Sequence, residues 1–314
     1  MSFYKEFLEI FKDGVYLQIN ILSKTAQVVE LLFKEIDLKK QGVNRKAFLY
    51  SMTKSLNSYR FNGVLIQLFN QGGSFNNKRV INELVSSYSM IINSSSASIK
   101  KRLERDAFRD LVSILNRINQ VLNISTEYAF NYGFVFDSFD TYIKRKSLNS
   151  KNIDLYVDNE TNTLEAANGK NLFSSVTSLN SLDSWGIRVS DILSNFIGRM
   201  IKALFDDLKE PSINNTDEVE TYDFSTKKLL NKKWFVLNKE RFDLYKSLNA
   251  LLEGTNSSFY TSIYFDYCLL LKALINYFEE FSSFDDYERV LPETHAEHFN
   301  TYCCTLMAEQ YKTF

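Results

Sequence analysis

Only two prolines, Pro211 and Pro292, occur in a chain of 314 residues. Proline removes a backbone N–H donor and clashes with the preceding helical turn. Its scarcity leaves most of the chain open to long, unbroken helices. The length suits one large domain or two smaller ones. A globule of this size buries about 75% of the surface its unfolded chain exposes, so stability needs no metal or disulfide staple. Aromatic residues make up 15%, mostly Phe and Tyr, which predicts a ring-rich core.

Hydrophobic spacing divides the chain. Residues 2–12 set Phe3, Phe7, Leu8 and Phe11 on one helical stripe, with Gly14 as a stop. "VYLQINIL" (15–22) alternates as a strand with one polar face. From residue 25 to about 122 the pattern is mostly helical, in "TAQVVELLFKEIDLKK", "RKAFLYSMTKSLNSYR", "NNKRVINELVSSYSMIIN" and "SIKKRLERDAFRDLVSILNRINQVL". "FNGVLIQLFNQGG" (61–73) fits helix or strand. The texture then changes. "YAFNYGFVFDSF" (128–139) reads as a strand, and "NLFSSVTSL" (171–179) as a short one. "NIDLYVDNE" (152–160) alternates cleanly, with Ile153, Leu155 and Val157 inward and Asp154, Tyr156 and Asp158 outward. A helix with Leu193, Ile197, Met200 and Leu204 as its apolar stripe follows. The stretch 206–226 is acidic, contains Pro211, and reads as a linker or loop. Residues 227–314 are helical again. The simplest architecture is an α/β, helix-rich fold: a small sheet wrapped by many helices.

Several function classes fall away. Net charge is −1, so no whole-chain electrostatic footprint for nucleic acid exists, although a local basic face can do that work. The three cysteines, Cys268, Cys303 and Cys304, are odd in number and two are adjacent. That argues against a secreted disulfide framework and for a reducing cytoplasm. Lys5, Glu6 and Glu9 interrupt any signal-peptide stretch, and no run of eighteen apolar residues predicts a membrane span. P-loop, HExxH, CxxC and GxSxG motifs are absent.

The segment "SLDSWGIRVSDILSNFIGRM" (181–200) carries Asp183-Ser184, Gly186-Ile187, Val189 and Asp191-Ile192-Leu193. It resembles the C-terminal signature of the family catalogued as domain of unknown function 3800. In that family a strand ends in Asp-Ser, and Gly-Ile-x-Val/Leu-x-Asp-Ile/Leu opens a helix. "NIDLYVDNE" is similar to the preceding strand, with Asp158 at its end, and residues 232–249 resemble the helical tail of some members. The resemblance implies a small ribonuclease-H-like sheet in a core spanning 1–205, with a large helical insertion at about 25–122. The 206–226 linker and the 227–314 helical region would follow. It also implies a cluster of Asp158, Asp183 and Asp191 holding Mg²⁺ or Mn²⁺, and a metal-dependent nuclease in a phage-conflict setting. The family's opening Tyr-x-Asp-Glu-Ser-Gly strand has no counterpart near Met1. Three alternatives stay open: that strand is truncated, another chain supplies it, or the protein is a degenerate relative without metal chemistry.

Each feature also has an ordinary reading. Phosphoryl transfer with two metals needs carboxylates converging on ions about 3.5–4 Å apart, and hard divalent ions take oxygen ligands. Asp158 also suits a turn, Asp183 or Ser184 suits a helix cap, and Asp191 suits a polar face. Lys101, Arg102 and Arg105, in the basic run "KKRLERDAFR" (100–109), are the candidate nucleic-acid contacts. A solvated face balanced by Glu104 and Asp106 explains the same run. The short "IKRK" (143–146) is the other basic cluster. His295, His298, Cys303 and Cys304 gather near the C-terminus, in a spacing that matches no zinc pattern. Two functions remain: a metal-dependent nuclease acting on nucleic acid, and a non-catalytic interaction or scaffold subunit that binds a protein partner or a second copy of itself.

Overall fold

Ser23 sets the start of the first well-capped helix. Its hydroxyl oxygen accepts the Ala26 N–H at 3.2 Å and so satisfies one of the donors left open at a helix start. The computed structural model describes residues 2–11, 15–58, 73–93, 99–121, 125–128, 132–209, 229–254, 256–261 and 266–311. The first half of the chain holds α1 (Ser2–Glu9), β1 (Leu17–Ile21), α2 (Lys24–Leu32), α3 (Arg45–Ser58), β2 (Gly73–Asn76), α4 (Asn77–Asn93), α5 (Ile99–Val121) and β3 (Ser125–Tyr128). The second half holds α6 (Gly133–Arg145), β4 (Asp154–Asp158), α7 (Thr161–Lys170), β5 (Ser175–Leu179), α8 (Trp185–Lys209) and α9 (Lys239–Leu252). It ends with β6 (Ser257–Thr261), α10 (Asp266–Tyr277), α11 (Phe284–Glu288) and α12 (Pro292–Tyr311). The chain is thus helix-rich α/β.

The described strands form three separate two-stranded ribbons rather than one sheet. β1 pairs in parallel with β6, Ile19 opposite Phe259. β2 and β3 are antiparallel. β4 and β5 are parallel, Tyr156 opposite Thr177, and residues 159–174, with α7 among them, make the crossover that a parallel pair requires. In β4 the expected alternation holds: Val157 is buried and Leu155 half-buried, while Asp154, Tyr156 and Asp158 face out.

Among the described residues, packing sorts the helices into three cores. α2 to α5 enclose one, running from Val28 to Ile118, with Tyr88 stacked on Phe108 at 5.0 Å. The Tyr88 and Ser55 hydroxyls satisfy each other there through a 2.5 Å hydrogen bond. The second core joins α1, α8 and the helices after residue 229, around Phe235, Phe242, Phe278 and Phe299. Leu193, Ile197 and Leu204, three of the four residues expected on the buried stripe of α8, enter it as fully buried groups, and Met200 packs on its edge. A small third core of Phe136, Ala167 and Phe173 binds α6 to the β4–α7–β5 unit.

Two local expectations are corrected. The aromatic run 128–139, expected as a strand, is mostly α6, with Tyr128 closing β3. Aromatics favour strands only where a pleated surface receives them. Here Phe136 and Phe139, three apart, both reach Phe173, at 6.0 and 5.8 Å, and that contact needs helical spacing. The C-terminal region is not wholly helical, since it contains β6. The ambiguous run 61–73 lies outside the described residues except for Gly73, and so does the linker from residue 210 onward. No helix among the described residues is long and apolar enough to cross a membrane.

Candidate functional site

The three acidic residues singled out by the family resemblance lie on successive parts of the chain: the end of β4, the turn after β5, and α8. Asp158 ends β4 and is exposed; its carboxylate accepts the Asn159 N–H at 2.9 Å, and its carbonyl accepts the Glu160 N–H at 2.6 Å. It shapes the turn into α7. Asp183 lies in the turn between β5 and α8, where its N–H donates to the Asn180 carbonyl at 2.9 Å. Asn180 holds the same turn from its side chain by accepting the Leu182 N–H at 2.8 Å. The helix cap is Ser184, whose hydroxyl accepts the Ile187 N–H at 3.4 Å. Asp191 is half-buried on α8. Among the described residues no group of three or more His, Cys, Asp or Glu side chains is placed to hold a metal ion. The three carboxylates therefore do not come together as a ligand set, and the Mg²⁺ or Mn²⁺ expected there has no three-ligand cradle among them.

The basic run is divided as well. Lys101 and Arg102 lie in α5, but their side chains fall outside the described ones. Arg105 is half-buried, with its Nε buried and without a hydrogen-bond partner among the described residues. Arg109 is spent on Asp106 at 2.7 Å. In the second cluster, Lys144 pairs with Asp140 at 2.5 Å.

The C-terminal His and Cys residues split by face. His295 and Cys303 are buried, while His298 and Cys304 are exposed. The His295 ring stacks on Tyr287 at 4.0 Å between centroids. Its Nε2 lies 3.0 Å from the Tyr287 carbonyl and its Nδ1 lies 2.9 Å from the Tyr277 hydroxyl. A carbonyl only accepts, so Nε2 carries the proton and Nδ1 receives the tyrosine O–H. Burial pushes the His295 pKa down and the Cys303 pKa up, so the ring is held neutral and the thiol protonated. Both are interior groups.

What periodicity alone misses is Trp185. It begins α8 and continues the row Val189–Leu193 at four-residue steps, so the period assigns it to the core. Along that row burial fades from Leu193 through half-buried Val189 to Trp185, which is 77% exposed. Arg188 fixes the ring from one side, with its guanidinium 5.0 Å from the ring centroid. The same guanidinium donates from Nε to the Ser181 carbonyl at 2.8 Å and from Nη2 to the Leu182 carbonyl. Leu182, in that turn, is 73% exposed. The result is a braced knuckle of Leu182, Trp185 and Arg188 that presents apolar surface to solvent. Comparison with family models, curated proteins and solved structures finds no match for the chain.

Proposed function

We propose that this chain is a non-catalytic interaction or scaffold protein that docks a protein partner through the Leu182–Trp185–Arg188 knuckle. The observation that carries the reading is the exposed Trp185 ring, held by a guanidinium that is itself tied to two backbone carbonyls. Trp and Arg dominate the energetics of protein interfaces, and truncating such an anchor costs about 2 kcal/mol or more of binding. Arg188 pre-sets the anchor, so less conformational freedom is lost when a partner covers it. Tyr156, 55% exposed on β4, adds a second open ring on a strand that α8 also touches. The local hydrogen bonds of the Asp158 and Asp183 turns give those residues structural roles that need no metal. The nuclease on a ribonuclease-H-like core is the competing reading, supported by the spacing of Asp-Ser, Gly-Ile and Asp in residues 183–192.

The test pairs two measurements. A photo-crosslinking residue at Leu182, expressed in the cell of origin, is expected to trap one defined protein partner, and Trp185→Ala is expected to abolish that adduct. Purified protein with Mn²⁺ is expected to leave single- and double-stranded DNA and RNA intact, with no rise in melting temperature. Mn²⁺-dependent cleavage that Asp158→Asn and Asp191→Asn both remove, in folded variants, would replace this reading with the nuclease. A self-adduct would identify the partner as a second copy.

A further inference from the structure

A groove far in character from the knuckle lies between α8, α9 and the short 3-10 turn Lys232–Phe235. Its volume is about 370 Å³, at the small end of the roughly 300–1,000 Å³ of small-molecule sites. Phe196 and Met200 of α8 form one wall, and Trp234, Leu237, Leu244 and Leu248 form the rest. The walls are anchored. Buried Asp207 accepts the Asn231 N–H at 3.2 Å and the Trp234 Nε1–H at 2.7 Å, and it pairs with Lys233 at 2.9 Å. The indole N–H is therefore used on Asp207, which leaves the apolar body of the ring for the groove. The Lys233 charge is offset by the same carboxylate.

Two polar groups in the lining remain uncommitted. Arg241 is exposed at the start of α9, and no carboxylate among the described residues pairs with it. Tyr245, one turn further on, stacks on Phe278 at 4.7 Å, and no described residue hydrogen-bonds its hydroxyl. Residues four apart share a helix face, so a guanidinium and a phenol O–H stand together beside an apolar pocket. Both donate, one carries positive charge, and a planar carboxylate is the complement of a guanidinium fork. We propose that this groove is a binding site for a small amphipathic carboxylate, a medium-chain fatty or arylalkyl acid. Its apolar body would lie between Met200 and Trp234, with its carboxylate on Arg241 and the Tyr245 hydroxyl. The site is separate from the docking knuckle and does not depend on it.

The whole protein is titrated calorimetrically with decanoate, and with decylammonium and decanol as matched probes, all below their micelle-forming concentrations. Decanoate is expected to bind one to one. Decanol is expected to bind about tenfold more weakly, and decylammonium not measurably. Arg241→Gln is exposed and keeps the fold; it is expected to weaken decanoate about tenfold while leaving decanol unchanged. Met200→Trp fills the groove and is expected to abolish binding of both. Absence of decanoate binding to the wild type overturns the site. Equal binding of the three probes, or an Arg241→Gln variant that binds decanoate normally, overturns the carboxylate assignment.

Discussion

Two aromatic rings in this molecule each stack on a nitrogen-rich partner, and their settings are opposite. Tyr287 lies against His295 inside the second core, where both ring nitrogens of the histidine have partners and the side chain has no exposed surface. Trp185 lies against Arg188 at the rim, where the guanidinium is satisfied by backbone but the indole remains largely in water. In the interior pair every polar and apolar group is used, so its chemistry is architectural. In the rim pair the guanidinium is tied to two backbone carbonyls and the apolar surface of the ring is left over, which is how a surface prepared for another molecule looks. The difference separates residues that hold the fold from residues that the fold holds out.

Breaking the interior pair should have the largest effect. His295→Ala removes a ring-sized volume, strips the Tyr277 hydroxyl of its acceptor and leaves the Tyr287 carbonyl only the Val290 N–H, at an expected cost of about 3–5 kcal/mol in urea unfolding. His295→Phe restores volume without the hydrogen bonds and should cost about 1–3 kcal/mol. If both variants lose the same amount, the hydrogen bonds rather than the packing matter at this position. Next comes Asp207→Ala, which strips three donors of their acceptor and frees the 232–235 turn from α8. A loss of about 2–3 kcal/mol is expected, and it should be smaller than the His295→Ala loss.

The pH dependence of the interior pair carries a definite sign. Burial lowers the folded pKa of His295 beneath its ordinary 6.5. Above pH 6.5 the ring is neutral in both states and contributes no slope. As pH falls below that value the unfolded chain binds a proton that the folded chain refuses, so stability declines until pH passes the folded value. Urea midpoints of the wild type should therefore drop between about pH 6.5 and 5, above the carboxylate range. The drop should persist in His298→Ala, whose ring is exposed, and vanish in His295→Phe. A wild-type midpoint that is flat across this window would mean that the ring is solvated in solution.

Much of the fold was legible because it is local. The stripe Leu193–Ile197–Leu204 predicts the face of α8 that is buried, and the alternation in 153–158 predicts β4 and its outward carboxylates. β6 was not legible. "SSFYT" has little alternation, and its partner β1 lies at the other end of the chain, so what makes it a strand is a long-range pairing that no local pattern encodes. The ring-rich stretch 128–139 misled because Phe136 and Phe139 satisfy a strand propensity and a helical period at once, and only the position of Phe173 decides between them. The acidic residues show a sharper limit. Spacing along the chain placed Asp158, Asp183 and Asp191 at element ends and on a helix, which is where they are. Whether they converge depends on how two turns are built, and those turns are shaped by Asn159, Asn180 and Ser184 through short-range hydrogen bonds. Trp185 was hidden for the opposite reason: its period is that of a core residue, and only the place where the core stops leaves it outside.

The smallest stability effect is expected at the rim, and it tests the comparison most directly. Trp185 is mostly in water, so Trp185→Ala forfeits little burial and one exposed cation–π contact, about 0.5–1 kcal/mol. Arg188→Ala should cost somewhat more, about 1–2 kcal/mol, because the Ser181 and Leu182 carbonyls lose a charged donor at the turn into α8. Crosslinking from Leu182 should show the reverse order: Trp185→Ala removes the anchor itself, whereas Arg188→Ala leaves the ring present but free to move. A protein that tolerates Trp185→Ala in urea yet loses its partner has an anchor built for docking. One that loses as much stability from Trp185→Ala as from His295→Ala has that ring buried in solution, and the two pairs would then be two parts of the same interior.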